Sequence, residues 1–378
     1  MTMAKFNIRG IIVSAVLTVA LSAMLMSVQV RPATAMQTLP FCNGTNAPCI
    51  SPDCNEEDLG ACPVTLPPPP AAALAPPPVT GADSSSASIG GLVDQRYNQM
   101  ITNRVLGTVL LGVNEQINCS DCISAFGSAG SFSAGIHGRK EITSNLSLLA
   151  GIAYTQYSEG GYHVTSAPIG AFALRYDFTD WGSSRPFFDL GAILSPSEKV
   201  RYHRSYDTSL GAVSLDSNTN SSNYGAYGRA GWISRLSPRD EVAASVEVWQ
   251  LWQTVNGYTD PASAFNPFDA TIATGTDRTN LVKIGGQWTH LFGGSVEGNV
   301  NGGYVHSLAS HSGVVANVTG INGVVAPNMR DQGWFEYGGR LGYRITQGWV
   351  ADLFVNGTLG PQPIGNTIHG GLGLRVSY

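Results

Sequence analysis

Apolar and polar positions alternate with a period of two along most of this chain. The end shows it best. Ile368, Leu372, Leu374, Val376 and Tyr378 are apolar, and His369, Gly371, Gly373, Arg375 and Ser377 lie between them. A run of that kind is a β-strand with one greasy face and one small or polar face. Segments with the same pattern lie at about 131–140, 146–157, 168–177, 185–195, 224–236, 241–252, 279–291, 295–306, 333–345, 349–359 and 367–378. Their lengths meet or slightly exceed the ~9–11 residues that a tilted strand needs to cross a bilayer. The links alternate in length. They are short at 141–145, 178–184, 237–240, 293–294 and 346–348, and long at 196–223, 253–278 and 307–332, with 158–167 and 360–366 on the long side. Tight turns at one end and long polar loops at the other are the layout of an outer-membrane barrel.

One stretch breaks the rule. Val93, Tyr97, Ile101, Val105, Val109 and Val113 recur every four residues. Its first half, 92–103, reads as an amphipathic helix. From Arg104 to Val113 the polar face vanishes while β-branched residues and glycine appear, so helix and strand both fit. Counting sides favours the strand. If the chain ends on the short-turn side, a strand must rise before 131–140, and 104–113 is the candidate. The expected fold is therefore all-β, an antiparallel transmembrane β-barrel of about 12 strands over 104–378. A short N-terminal helix (92–103) would lie in or under the lumen, and the loop holding Cys119 and Cys122 would lie at the long-loop end.

Charge placement sharpens the picture. Arg139, Arg175, Arg229, Glu247, Glu297, Glu336, Arg340, Arg344, Asp352 and Arg375 fall on the face opposite the apolar positions and are expected to line the lumen. An ionised side chain aimed into mid-membrane hydrocarbon costs ~2–4 kcal/mol, which enforces this alternation. Trp181, Trp232, Trp288, Trp334 and Trp349 lie near segment ends and are expected in interface girdles. Only 12% of residues are charged, against ~25% in soluble domains. After residue 36 no stretch has the ~18 consecutive apolar residues of a membrane-spanning helix. The net charge of −5 argues against a nucleic-acid partner.

Residues 1–35 read as a cleaved signal peptide: Lys5 and Arg9, an apolar run from Gly10 to Val30, then Ala33-Thr34-Ala35. This implies export through the inner membrane and a place in the bacterial outer membrane. A Cys-rich segment (36–66) follows, with Cys42, Cys49, Cys54 and Cys62, then a Pro/Ser-rich linker (67–91). Four cysteines in an oxidising envelope point to two disulfides in one of three pairings. Their spacings lack a C-x2-C half-site, so no metal is expected. The Cys119–Cys122 pair is expected to form a local loop disulfide rather than a redox or metal half-site.

Gly130 to Arg139 (GSFSAGIHGR), Leu146 to Tyr157 (LSLLAGIAYTQY) and the terminal GGLGLRVSY together resemble the β-domain of autotransporters, over roughly residues 90 to 378. The resemblance implies a twelve-stranded barrel around an α-helical segment, linked to export of an upstream passenger. It also implies that the barrel-assembly machinery reads the terminal strand through Leu372, Leu374, Val376 and Tyr378. No large passenger is expected, since only the Cys- and Pro-rich stretch separates the expected cleavage site from the helix.

Enzymatic signals are weak. No G-x-S-x-G, H-E-x-x-H or P-loop occurs. His306, Ser310 and His311 cluster near a loop, and Asp207 and Asp216 lie in the long 196–223 connection, within reach of a histidine on a neighbouring strand. Loops contain such residues by default. The expectation is a non-enzymatic, cofactor-free barrel whose partners are outer-membrane lipid and, during biogenesis, the assembly machinery. It would be structural or would display its short Cys-rich arm. A passive diffusion porin is the alternative, and a surface hydrolase the third class.

Overall fold

A computed structural model of the protein describes residues 89–112, 121–129, 132–159, 161–208, 211–262, 269–318, 321–325 and 332–377. Helix α1 spans Ile89–Leu110. The strands follow in order: β1 (Cys122–Ala129), β2 (Phe132–Thr143), β3 (Leu146–Glu159), β4 (Tyr162–Asp177), β5 (Ser184–Thr208), β6 (Gly211–Ser237), β7 (Asp240–Val255), β8 (Tyr258–Asp260), β9 (Ala270–Ile272), β10 (Gly275–Leu291), β11 (Val296–His311), β12 (Val315–Val318), β13 (Ile321–Val325), β14 (Gly333–Thr346), β15 (Trp349–Leu359) and β16 (Thr367–Ser377).

Twelve of these strands close into an antiparallel barrel in the order β1-β16-β15-β14-β11-β10-β7-β6-β5-β4-β3-β2. The ring closes where β1 pairs β16, from Cys122↔Ser377 to Ala129↔Gly370. Closure removes the unpaired edges that a bilayer would not tolerate. The turns at 144–145, 178–183, 238–239, 292–295 and 347–348 gather at one end with the start of β1 and the finish of β16. Each of the eleven periodic segments becomes a barrel strand.

Side chains obey the alternation. Leu148, Ile152, Phe172, Leu174, Leu190, Val246, Ile284, Val300, Leu341, Leu353 and Leu372 point outward and are exposed. Two aromatic belts bound this band. Tyr176, Trp181, Trp288, Phe292, Tyr343 and Trp349 lie toward the short-turn end, and Phe132, Tyr154, Tyr224, Tyr304 and Phe335 toward the other. Trp232 also faces outward, but Trp334 does not. It is 1% exposed and points into the lumen, where its Nε1 donates to Glu336 Oε1 at 3.1 Å. Phe335 takes the outward position there, because adjacent strand residues must face opposite ways.

Further sequence expectations need correction. Residues 104–110 are not a strand. They continue α1 to Leu110, and Gly112, with φ 57°, follows in the turn beyond it. A glycine in that left-handed conformation is a common helix stop. The upstroke strand is β1 instead, so twelve strands stand but the first is a different one. β1 was hard to see because it is short and carries one large outward apolar residue, Ile123, before Gly127. In consequence Cys122 sits at the short-turn end, opposite to the expectation. Cys119 lies outside the described residues, as do Cys42, Cys49, Cys54, Cys62, Tyr378 and residues 1–88.

The long connections are also more regular than polar loops. Residues 196–223 are mostly strand, since β5 and β6 stay paired up to Thr208↔Gly211. The connections 253–278 and 307–332 supply β8, β9, β12 and β13, which form a separate four-stranded sheet at that end. Tyr258 of this sheet stacks on Tyr202 of β5 (centroids 4.9 Å apart), and Ser217 of β6 hydrogen-bonds Asp260.

Candidate functional site

The barrel interior is filled by α1, and that filled lumen is the candidate site. An isolated helix with polar residues on several faces has little reason to bury itself. Here the wall supplies the partners. Near the long-connection end Arg96 Nε donates to Asp277 Oδ2 at 2.6 Å, and Arg96 Nη2 to the carbonyl of Gly275 at 2.9 Å. Asn98 Nδ2 donates to the carbonyl of Pro363 in the β15–β16 connection. Gln99 is a hub: its amide nitrogen donates to Glu198 and to Ser221 Oγ, and its oxygen accepts from Tyr162 and Gln253. Asn103 Nδ2 adds a bond to Glu198 Oε1 at 2.6 Å. Further down, Arg104 pairs with Glu336 and lies 5.6 Å over the ring of Trp249.

Close backbone approach seats the helix on one side. A Cβ at Gly107 would collide with Ile193 of β5, and one at Gly151 of β3 would come within 2.7 Å of the Leu110 carbonyl. The chain thus runs down the lumen, from Arg96 at the long-connection end toward Gly112. On the opposite side, along β1, β15 and β16, two gaps of about 110 and 60 Å³ remain. Val105, Val109, Phe126 and Phe354 border the larger one.

The wall charges form tight clusters. On β4–β6, Arg175 Nε meets Asp177 at 2.9 Å and Arg229 Nε donates to Asp189 at 2.6 Å, and Arg139 of β2 reaches Asp177 at 3.3 Å. On β11, β14, β15 and β16, Arg340 contacts Glu297 and Asp352, each at 3.0 Å, and Arg375 contacts the same two acids. Lys283 Nζ lies 3.1 Å from Glu336, and Trp249 Nε1 donates to Glu247 at 3.1 Å. Buried charges survive only when paired and hydrogen-bonded, because several kcal/mol of hydration per ion is given up. Packed this way they tie neighbouring strands to one another inside the barrel.

Arg139, Arg175, Arg229, Glu247, Glu297, Glu336, Arg340, Asp352 and Arg375 lie buried or half-buried inside. Arg344 has the inward parity but is exposed beside the last short turn. Sequence reasoning overlooked Asp189 and Lys283, which share the inward face of recognised strands, and Asp277, which lay in the expected 253–278 connection and belongs to β10. It also overlooked Glu198, where a register shift between Ser195 and Glu198 breaks the alternation. Leu372 and Leu374 face outward on β16, with Val376 on the same side.

Ser310 and His306 each engage other neighbours. Ser310 Oγ bonds Thr279 at 2.6 Å and Ser307 at 2.7 Å, while the His306 ring is stacked parallel to Tyr304 on the outward face. Asp216 does meet a histidine, His203 Nδ1 at 3.2 Å, on the exposed β5–β6 hairpin. Arg201 shares that carboxylate at 3.1 Å.

The sequence matches no family model and no curated protein. Among solved structures, the translocator domain of autotransporter NalP from Neisseria meningitidis aligns with a TM-score of 0.54. The match covers 76% of this chain and 98% of that one at 11% identity. This chain has the fold of an autotransporter translocator domain. The transport unit of AIDA-I from Escherichia coli aligns more loosely (TM-score 0.42, 14% identity, 75% of this chain and 99% of that one). So does the CymD monoaromatic hydrocarbon channel (TM-score 0.44, 12% identity, 79% and 98%).

Proposed function

We propose that this chain is an integral outer-membrane protein of autotransporter type, plugged by its own helix and displaying a short Cys- and Pro-rich arm. The direction of α1 carries this reading. Its amino-terminal half is bonded to β10 and to the β15–β16 connection, so α1 starts at the long-connection end of the barrel. In outer-membrane barrels the longer loops face the exterior. Catalysis has no part in the reading, which needs the signal peptide for export, membrane lipid around the belt and the assembly machinery for insertion. An epitope inserted at Ala72 tests it. Antibody should bind intact cells; binding only after permeabilisation would place the arm inside and overturn the proposal.

The gaps beside α1 favour a second reading, a passive diffusion channel. They are narrow, and the helix is bonded to both sides of the wall. In planar bilayers the full chain should give small conductance, and deletion of 89–110 should raise it severalfold. Large steady conductance with the helix in place would favour the porin.

A further inference from the structure

The outward surface of β5 changes from oil-like to cationic within a few residues. Leu190 and Leu194 face outward and are exposed. The register shift between Ser195 and Glu198 then turns Glu198 into the lumen. It also aims Lys199, Arg201 and His203 outward, at every second position, all exposed. At ~3.3 Å per residue these cations rise in steps of about 6.6 Å along the strand. Cross-strand pairing adds His163 beside Arg201, Ser166 beside Lys199 and Asp216 beside His203.

Their height relative to the membrane can be read from hydrogen bonds. The hydroxyl of Tyr154, in the upper aromatic belt, donates to the carbonyl of Thr165 at 3.3 Å and accepts from Gln156 Nε2 at 3.1 Å. Thr165 Oγ1 in turn donates to the Lys199 carbonyl at 3.3 Å. Lys199 therefore stands level with the phenol that marks the boundary between the apolar band and water, and Arg201 and His203 stand above it. Asp216 offsets part of the charge. Its Oδ1 accepts from Arg201 and His203, while Arg201, His203 and His163 border an open hollow whose wall includes Phe132 and Gln156.

We propose that this patch binds the phosphate of an anionic lipid headgroup in the outer leaflet, with Lys199 and Arg201 as its ligands. A guanidinium presents paired donors that match phosphate oxygens, and the ammonium adds a point charge. The location selects a lipid over a soluble anion. Acyl chains can lie on Leu194, Leu190 and Phe172 while the headgroup reaches the cations, whereas free phosphate gains nothing from the band below. Near an anionic lipid surface each such cation strengthens binding by roughly fivefold.

The inference rests on the outer-membrane reading, and the experiment separates the two. The refolded full chain in neutral detergent is titrated with bisphosphorylated lipid A, with the same lipid enzymatically dephosphorylated, and with inorganic phosphate as competitor. Bound lipid is read by native mass spectrometry. The phosphorylated lipid should bind at least tenfold more tightly than the dephosphorylated form, and equimolar inorganic phosphate should not displace it. The K199Q/R201Q variant should lose about tenfold or more in affinity, since two cations are removed. Lys199→Gln alone should lose less, and Arg344→Gln at the opposite rim should change nothing. Heat-modifiable mobility of each variant checks that the barrel is intact. Equal binding of both lipids, displacement by inorganic phosphate, or an unaffected K199Q/R201Q protein would each overturn the inference while leaving the barrel reading in place. Absence of the chain from the outer-membrane fraction would instead remove that reading, whatever binds in detergent.

Discussion

Val246 and Glu247 are chain neighbours with opposite surroundings. Val246 is 40% exposed on the outward face in mid-strand, and Glu247 is 4% exposed inside. Arginine at Val246 would put a charge near the membrane midplane, at a cost of ~2–4 kcal/mol. Arginine at Gln250, also outward but closer to the Tyr224–Trp252 level, should cost ~0–1 kcal/mol. Urea unfolding in liposomes compares them, and equal midpoints would mean that the depth assignment is wrong. A second test concerns pH. Asp121, just before β1, accepts from Lys140 Nζ at 2.8 Å and from the Glu141 backbone N–H at 2.9 Å. These bonds, the Lys140 one foremost, hold its carboxyl below the ordinary 3.8. A carboxylate whose pKa is depressed by folding stabilises the fold above its unfolded value, and that contribution is lost as pH falls through the folded value. Asp121→Asn should therefore lower stability at pH 7 yet leave it unchanged near pH 2. A difference of the same size at both pH values would count against the ion pair. The inward arginines were legible by parity alone. Glu198 was not, because one bulge reverses the alternation.

Helix α1 shows why local preference was a poor guide. Val105, Thr108 and Val109 favour a strand and Gly107 weakens a helix. Yet in a water-poor lumen a strand without neighbours would leave its backbone groups unbonded, whereas a helix satisfies its own. Gly107 then becomes an asset, since it lets the helix lie against Ile193. Leucine at Gly107 should overpack this contact by about 1–3 kcal/mol. The heat-modifiability transition should fall, and trimming Ile193→Ala in the same chain should restore much of it. If the double variant is no better than the single, the contact is not where the strain arises. The β5–β6 hairpin teaches a similar lesson. Its residues past 195 look loop-like because serine, asparagine and aspartate dominate, but cross-strand pairing carries them as strand to Thr208.

For the barrel as a unit, closure between β1 and β16 is decisive, because it joins the two ends of the described sheet. Leu372, Leu374 and Val376 present one side of β16 outward, and Tyr378 follows at the chain end. Removing Tyr378 should slow insertion and lower surface levels by several-fold, as judged by protease accessibility in whole cells. Normal levels would argue against a terminal assembly signal.

What the sequence determined by itself is the barrel. Alternation, strand length and turn spacing are local properties, and the bilayer imposes them on each strand independently. What only the tertiary structure decided is the inside: which segment closes the ring, where the helix stops, and which acid each arginine meets. Those outcomes depend on partners far along the chain, such as Arg96 with Asp277 and Arg375 with Glu297, and a period of two carries no record of them.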